Sequence, residues 1–171
     1  MRVSSDDSVL SGHCRILRPS QWDLVRRLRL EAMRQSPNAF LGSYDEVLAY
    51  SEDDWRKTFE DASWHGFFVA ENHSSARAVI GIARSSRLSQ FPDERYIESF
   101  WVHNDYRRKQ VGRRMLQSIM REAVGEGRNV IRLSVLWKNT EAILAFAELG
   151  LITIVPGRSN QFEVCLELAL D

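Results

Sequence analysis

The residues best suited to chemistry lie in Tyr106-Arg-Arg-Lys-Gln-Val-Gly112, where an apolar, strand-like run gives way to a helical pattern. A helix N-terminus presents unpaired backbone N–H groups and the positive end of its dipole, and so forms an anion site. Gly112 lets a phosphate approach the backbone without a Cβ in the way. Arg107, Arg108, Lys109 and Arg113 add charge suited to a polyphosphate. A simply solvated basic helix start would have the same composition. The second notable group is Glu98, alone in the otherwise apolar run Tyr-Ile-Glu-Ser-Phe-Trp-Val. A carboxylate there is costly unless a cleft solvates it or a cation such as Arg84 pairs with it. Strand alternation places Glu98 on the face of Phe100 and Val102.

Periodicity supplies the elements that would position these groups. Cys14–Arg18 reads as a short strand, and Pro19-Ser20 opens a helix whose Leu24, Val25, Leu28 and Ala32 share a face. Pro37-Asn38 stops it. A loop through Gly42 leads to a second helix over about residues 51–60, with Ser51 as N-cap and Asp54 closing a capping box. Gly66–Ala70 and Ala78–Ala83 form a hairpin around Asn72-His-Ser-Ser75, and Arg95–Val102 is a third strand. The longest amphipathic helix carries Val111, Met115, Leu116, Ile119, Met120 and Val124 on one face and ends at Gly125 and Gly127. Val130–Leu136 alternates as a strand, and a helix spans Thr140–Leu149. Leu151–Val155 and Phe162–Leu168 close the chain as strands joined by Pro156-Gly157. The order β-α-α-β-β-β-α-β-α-β-β predicts one α/β domain over residues 13–171, behind a polar, flexible tail over residues 1–12. Three consecutive strands predict antiparallel pairing, and the strand-helix-strand unit from Arg95 to Leu136 predicts one parallel crossover at the centre.

Bulk composition narrows the functional classes. Lys+Arg and Asp+Glu balance at 23 each, so no global field points to nucleic acid or anionic lipid. Charge is uneven locally: residues 45–61 carry seven acids and two bases, whereas residues 105–114 carry five bases and one acid. Two cysteines, Cys14 and Cys165, are too few for a disulfide framework. No apolar run approaches the ~20 residues of a membrane span. The N-terminal residues lack the apolar core of a secretion signal. These readings predict a cytoplasmic protein with no nucleic-acid, membrane or metal partner.

Phe100-Trp-Val-His-Asn-Asp-Tyr-Arg-Arg-Lys-Gln-Val-Gly-Arg-Arg-Met-Leu116 resembles the signature of the GNAT superfamily of N-acetyltransferases. Its usual form is an apolar strand ending in Val-x-Pro-x-Tyr-Arg-Gly-Lys-Gly-x-Gly. A second block agrees in register: Asn139-Thr-Glu-Ala142 through Phe146 to Gly150-Leu151 is similar to Asn-x-x-Ala-x-x-x-Tyr-x-x-x-Gly-Phe. Pro37-Asn-Ala-Phe40, with Glu46 after it, is similar to a Pro-x-Ala-Phe segment of many bacterial members. The resemblance spans residues 13–168. It implies a single-domain GNAT fold, with a mixed, mostly antiparallel sheet whose central parallel strands splay around acetyl-CoA. Phe100, Trp101 and Val102 would then offer backbone groups to the pantetheine arm. Arg108, Lys109, Gln110, Val111, Gly112 and Arg113, with Arg107 beside them, would serve the CoA pyrophosphate, and Asn139 would hydrogen-bond the pantetheine. Asn104 replaces the usual Pro. Arg108 and Gln110 replace glycines, and both are expected in an unstrained, helical first turn. Phe146 stands at a cofactor-contacting position where the family often has a proton-donating Tyr.

The function implied is transfer of an acetyl group from acetyl-CoA to a primary amine of a small molecule or peptide, by direct attack in a ternary complex. Glu98 is then the candidate general base. Glu94, read as a loop residue after Pro92, is a weaker one, and His103 reads as an exposed loop histidine. Because Phe146 has no proton to give, the rival reading is a module of the same fold that binds acyl-CoA with weak or no catalysis. The acidic run after Asp45 suits a cationic acceptor or is a solvated helix face. Dimerisation is common in the family, so the resemblance also admits a homodimer.

Overall fold

A computed structural model describes residues 10–70, 77–154 and 163–171. The chain enters through β1 (Gly12–Leu17) and a 3-10 turn at Pro19–Gln21, then α1 (Trp22–Gln35). The Arg18 N–H donates to Gln21 Oε1 at 2.9 Å, which fixes the entry to α1. Val25, Leu28 and Ala32 are buried, as the period of 3.6 requires. Next come two short helices, α2 (Tyr44–Leu48) and α3 (Glu52–Lys57). Periodicity misses α2 because five residues make little more than one turn; its signal is the capping box between Ser43 and Glu46. In α3 the expected box forms: the Asp54 N–H donates to Ser51 Oγ, and the Ser51 N–H to Asp54 Oδ2 at 3.0 Å. These bonds to Ser51 hold the Asp54 carboxyl below its usual pKa. Glu46 and Asp54 thus serve caps, and Glu52 pairs with Arg56 at 2.7 Å, so much of the acidic run is helix-end chemistry.

The remaining elements are β2 (Ala62–Ala70), β3 (Arg77–Ser86), β4 (Glu94–Val102), α4 (Val111–Gly125), β5 (Val130–Leu136), α5 (Thr140–Glu148), β6 (Ile152–Ile154) and β7 (Glu163–Ala169). The turns expected at residues 72–75 and 156–157, and most of the expected N-terminal tail, lie outside the described residues. Gly12 already belongs to β1. Among the described residues the sheet is open and seven-stranded, with the order β1-β2-β3-β4-β5-β7-β6, parallel only between β4 and β5. Cys14 and Cys165 lie on well-separated strands, β1 and β7, and are not bonded to each other. One face of the sheet packs Ile97, Ile131 and Leu133 against Met115, Leu116 and Ile119 of α4 and Phe146 of α5. The other packs Trp64, Ile82 and Trp101 against Val25 and Leu28 of α1 and Trp55 of α3. Val124 is exposed and Ala123 takes the inward place expected for it.

An ionic cluster binds the start of β4 to the end of α4. Arg95, fully buried, donates from Nε to Ser85 Oγ at 3.0 Å and pairs with Glu122 and, at 2.6 Å, Glu126. Beside it, His65 Nε2 lies 2.9 Å from Ser85 Oγ, and burial lowers the His65 pKa to about 3. Below pH ~6.5 the unfolded chain therefore binds a proton that the folded chain refuses. Stability is expected to fall with pH from about 6.5 downward, by up to about 1.4 kcal/mol per pH unit from this group. Denaturant titrations between pH 7 and 5 should show that slope, and His65→Gln should flatten it.

Candidate active site

The two central strands separate midway. Pairing of β4 with β5 runs from Glu94↔Val130 to Ile97↔Leu133 and stops there, although both strands continue. The cause is a bulge at Ser99, whose φ is +54°. On β3, Ile82 pairs with Trp101 and Arg84 with Glu98, so two steps on β3 answer three on β4. The extra residue reverses the alternation. Glu98 does not share a face with Phe100 and Val102, as strict alternation predicts; it shares one with Trp101, on the side of α1 and α3. Phe100 and Val102 turn toward the α4 side. The Trp101 indole is buried in the opposite core, which leaves only its main chain for a ligand between the strands.

The turn into α4 also departs from expectation. Arg108 and Gln110 have φ of +59° and +63°, so neither is in a helical first turn. Left-handed residues beside right-handed ones turn successive N–H groups toward one concavity, an arrangement suited to anions. Among the described residues no side chain caps α4, and its first helical bond runs from the Arg114 N–H to the Gln110 carbonyl. The N–H groups of Val111, Gly112 and Arg113 thus precede any intrahelical partner. Each left-handed non-glycine residue costs about 1 kcal/mol or more. Gln110→Gly is therefore expected to raise the unfolding free energy by about 1 kcal/mol, read from a denaturant midpoint.

Around this turn the basic side chains divide. Arg108, Lys109 and Arg113 are exposed. Arg107 is committed: Nε donates to the Val102 carbonyl at 3.2 Å and Nη2 to Ser36 Oγ at 2.9 Å. With the Asn104 N–H donating to Gln35 Oε1 at 3.1 Å, this ties the end of α1 across the end of β4. A Cβ on Gly112 would meet Phe100 at 3.6 Å, an ordinary contact, so the fold itself makes no demand for glycine there.

On the opposite face, Glu98 is both paired and in a cleft. Its Oε1 accepts from Ser86 Oγ at 2.6 Å and pairs with Arg84 Nη1. Arg84 Nε in turn donates to the Thr58 carbonyl at 2.9 Å. Asp61, Arg84, Ser86, Tyr96 and Glu98 line a cavity of about 380 Å³. A second cavity, of about 570 Å³, lies between Pro37, Asn38, Phe40 and Leu41 and the end of β5, at Leu136, Trp137 and Lys138.

A family model described as the acetyltransferase (GNAT) family matches residues 25–151. The chain belongs to the GNAT acetyltransferase family. No curated protein matches it. Among solved structures, the PaiA N-acetyltransferase of Thermoplasma acidophilum, in complex with coenzyme A, superposes with a TM-score of 0.73 at 13% identity, covering 94% of this chain and 99% of that one. The yncA protein of Salmonella typhimurium, solved with its cofactor acetyl-CoA, gives 0.65 at 16% identity over 94% and 95%. The ribosomal-protein-S18-alanine N-acetyltransferase of Escherichia coli gives 0.64 at 16% identity over 94% of each chain. These likenesses are of fold.

The other expected residues of this GNAT domain sort by what their side chains already do. Asn139 caps α5, its Oδ1 accepting from the Ala142 N–H at 3.3 Å. Phe146 is buried edge-to-face against Phe100, with centroids 5.3 Å apart. Val111 is buried, so only its main chain is available. Glu94 is a buried strand residue, not a loop residue, and accepts two bonds from Arg132 at 3.0 and 2.8 Å. His103 is half-buried rather than exposed: Nε2 lies 3.2 Å from Glu31, and the ring meets Trp101 and Tyr106 edge-on. Sequence reasoning missed Ser99, Tyr96 and Arg29. A serine in an apolar strand carries no signal of positive φ. Arg29 lies in an arginine-rich helix where nothing singles it out. Among the described residues, no helix is long and apolar enough to cross a membrane, and no group of three or more His, Cys, Asp or Glu could hold a metal ion.

Proposed function

We propose that this GNAT domain transfers an acetyl group from acetyl-CoA to a primary amine by direct attack within a ternary complex. The observation that carries this reading is the junction of two splayed parallel strands with an uncapped, left-handed turn at the start of α4. Coenzyme A needs donors for a pyrophosphate and a slot for an extended amide-bearing arm, and the neighbours solved with coenzyme A or acetyl-CoA support that match. The main chain from Arg108 to Arg113 suits the pyrophosphate, with the Arg108, Lys109 and Arg113 side chains adding charge. The edge of β4 from Phe100 to Val102 suits the arm, and the Asn139 amide nitrogen, left over from capping, suits its carbonyls. When bound, acetyl-CoA supplies an acyl group activated as a thioester.

The chain's own residues supply the rest. Backbone N–H groups on the unpaired edge of β4 are positioned to polarise a carbonyl between the strands. Glu98, on the face away from α4, takes the proton of the acceptor ammonium, directly or through water in its cavity. Arg84 and Ser86 both engage Oε1 and hold the carboxylate in place. Phe146 supplies no acid, and this favours the second reading, an acyl-CoA-binding module. Incubation of the protein with acetyl-CoA and a panel of primary amines, followed by free-thiol release, separates the two. Turnover of at least one amine is expected. Tight CoA binding with no turnover of any amine would instead support the binding module.

A further inference from the structure

Phe40 joins two features on the Glu98 face of the sheet. Its ring lies 4.2 Å beneath the Arg29 guanidinium carbon, and it also lines the cavity of about 570 Å³ at the end of β5. That cavity has a mixed lining: Phe40, Leu41, Leu136 and Trp137, with Pro37, form its apolar part, and Asn38 and Lys138 are polar. Leu41 and Trp137 are 56% and 51% exposed, so both are open to the apolar part of a ligand. The volume suits a small molecule. Among the described residues that line it, none is acidic.

Arg29 is half-buried, stacked on Phe40 and incompletely hydrogen-bonded. Its Nη1 is out of solvent with no hydrogen-bond partner among the described residues. Burial lowers its pKa to about 10, with Glu98 opposing the shift. Buried guanidinium groups need an anion or a full set of acceptors. The nearby carboxylate of Glu98 is engaged by Arg84 and Ser86 instead. Glu98 therefore has two arginine neighbours and hydrogen-bonds with Arg84, which leaves Arg29 for an acceptor that brings its own anion.

We infer that the acceptor is an apolar α-amino acid, its carboxylate paired with Arg29 and its side chain in the cavity between Phe40, Leu41 and Trp137. This rests on the acetyl-transfer reading and names its substrate class. The α-amine lies one carbon from the carboxylate, which sets it between Arg29 and Glu98. The reaction forms a bond from nitrogen to the acetyl carbon and breaks the thioester carbon–sulfur bond; one ammonium proton passes to Glu98, the second passes through water to the departing thiolate, and the products are an N-acetyl amino acid and free CoA.

The test compares L-phenylalanine, L-leucine, glycine, phenethylamine and spermidine by thiol release, and by calorimetric binding to the CoA-saturated protein. Arg29→Gln is expected to weaken L-phenylalanine about 100-fold, in KM and in calorimetric Kd, while moving phenethylamine no more than about threefold. Trp137→Ala, at an exposed position, is expected to raise the L-phenylalanine KM about 10-fold and to leave glycine and acetyl-CoA unchanged. Preference for spermidine or phenethylamine, or equal effects of Arg29→Gln on the amino acid and its decarboxylated analogue, overturns the inference while leaving acetyl transfer intact. A Trp137→Ala defect in acetyl-CoA rather than acceptor assigns the cavity to the cofactor and overturns it also. Absence of amino-acid binding to the CoA-saturated protein does the same, whereas binding without turnover keeps the site and removes the catalytic reading.

Discussion

Glu98→Gln is expected to lower kcat by about 10²- to 10⁴-fold and to leave CoA affinity unchanged. Glutamine keeps the shape of the side chain and still accepts from Ser86 Oγ, but it cannot take a proton from the acceptor. The bulge at Ser99 is the reason the two effects separate: it places Glu98 on the face opposite Phe100, Val102 and α4. A substitution there touches the α1 side of the sheet and not the turn that opens α4. Steady-state kinetics at saturating acceptor, with calorimetric CoA titration of both proteins, reads both quantities. An unchanged kcat accompanied by a lower melting temperature would make Glu98 only the partner of Arg84.

Arg95→Met is expected to destabilise the fold by about 1–3 kcal/mol, because it removes the buried cation shared by two partly exposed carboxylates. The Arg95 side chain is 0% exposed and holds both Glu122 and Glu126. Arg87, at 2.6 Å from Glu126, would remain as their main counter-charge. Replacing Arg95, Glu122 and Glu126 together by Met, Gln and Gln should recover much of the loss, since no unpaired charge then remains buried. Chemical denaturation of both variants measures this. The cluster matters to the site because of where it stops. Arg95 fastens the start of β4 to α4, and the Glu94–Arg132 pair fastens it to β5. These locks cover the half of β4 that remains paired, so the strands part only beyond them.

Much of this was legible in the residues. The period of α1 and α4, the capping box at Ser51 and the alternation of β5 each follow from local chemistry that tertiary packing did not override. Order and spacing of the strands fixed one parallel pair at the centre, and the basic turn before Val111 marked the start of α4, where we propose that the pyrophosphate binds. Three things were not legible. Register needs both strands: Ser99 adds one residue to β4 against β3, and from β4 alone Glu98 falls on the wrong face. Backbone handedness at Arg108 and Gln110 is set by how β4 and α4 meet, and side chains that tolerate a left-handed φ poorly gave no warning. Long-range pairing was the third, since Glu94 with Arg132 and His103 with Glu31 join residues far apart in the chain.

On the proposed function, the left-handed turn and the freed edge of β4 together hold coenzyme A. Titration of isotope-labelled protein with coenzyme A, followed by the backbone amide resonances, tests it most directly. The amides of Gln110, Val111, Gly112 and Arg113 are expected to shift most, with those of Phe100 to Val102 next and the Glu98 face little changed. Saturating shifts elsewhere, with residues 108–113 unmoved, would contradict it.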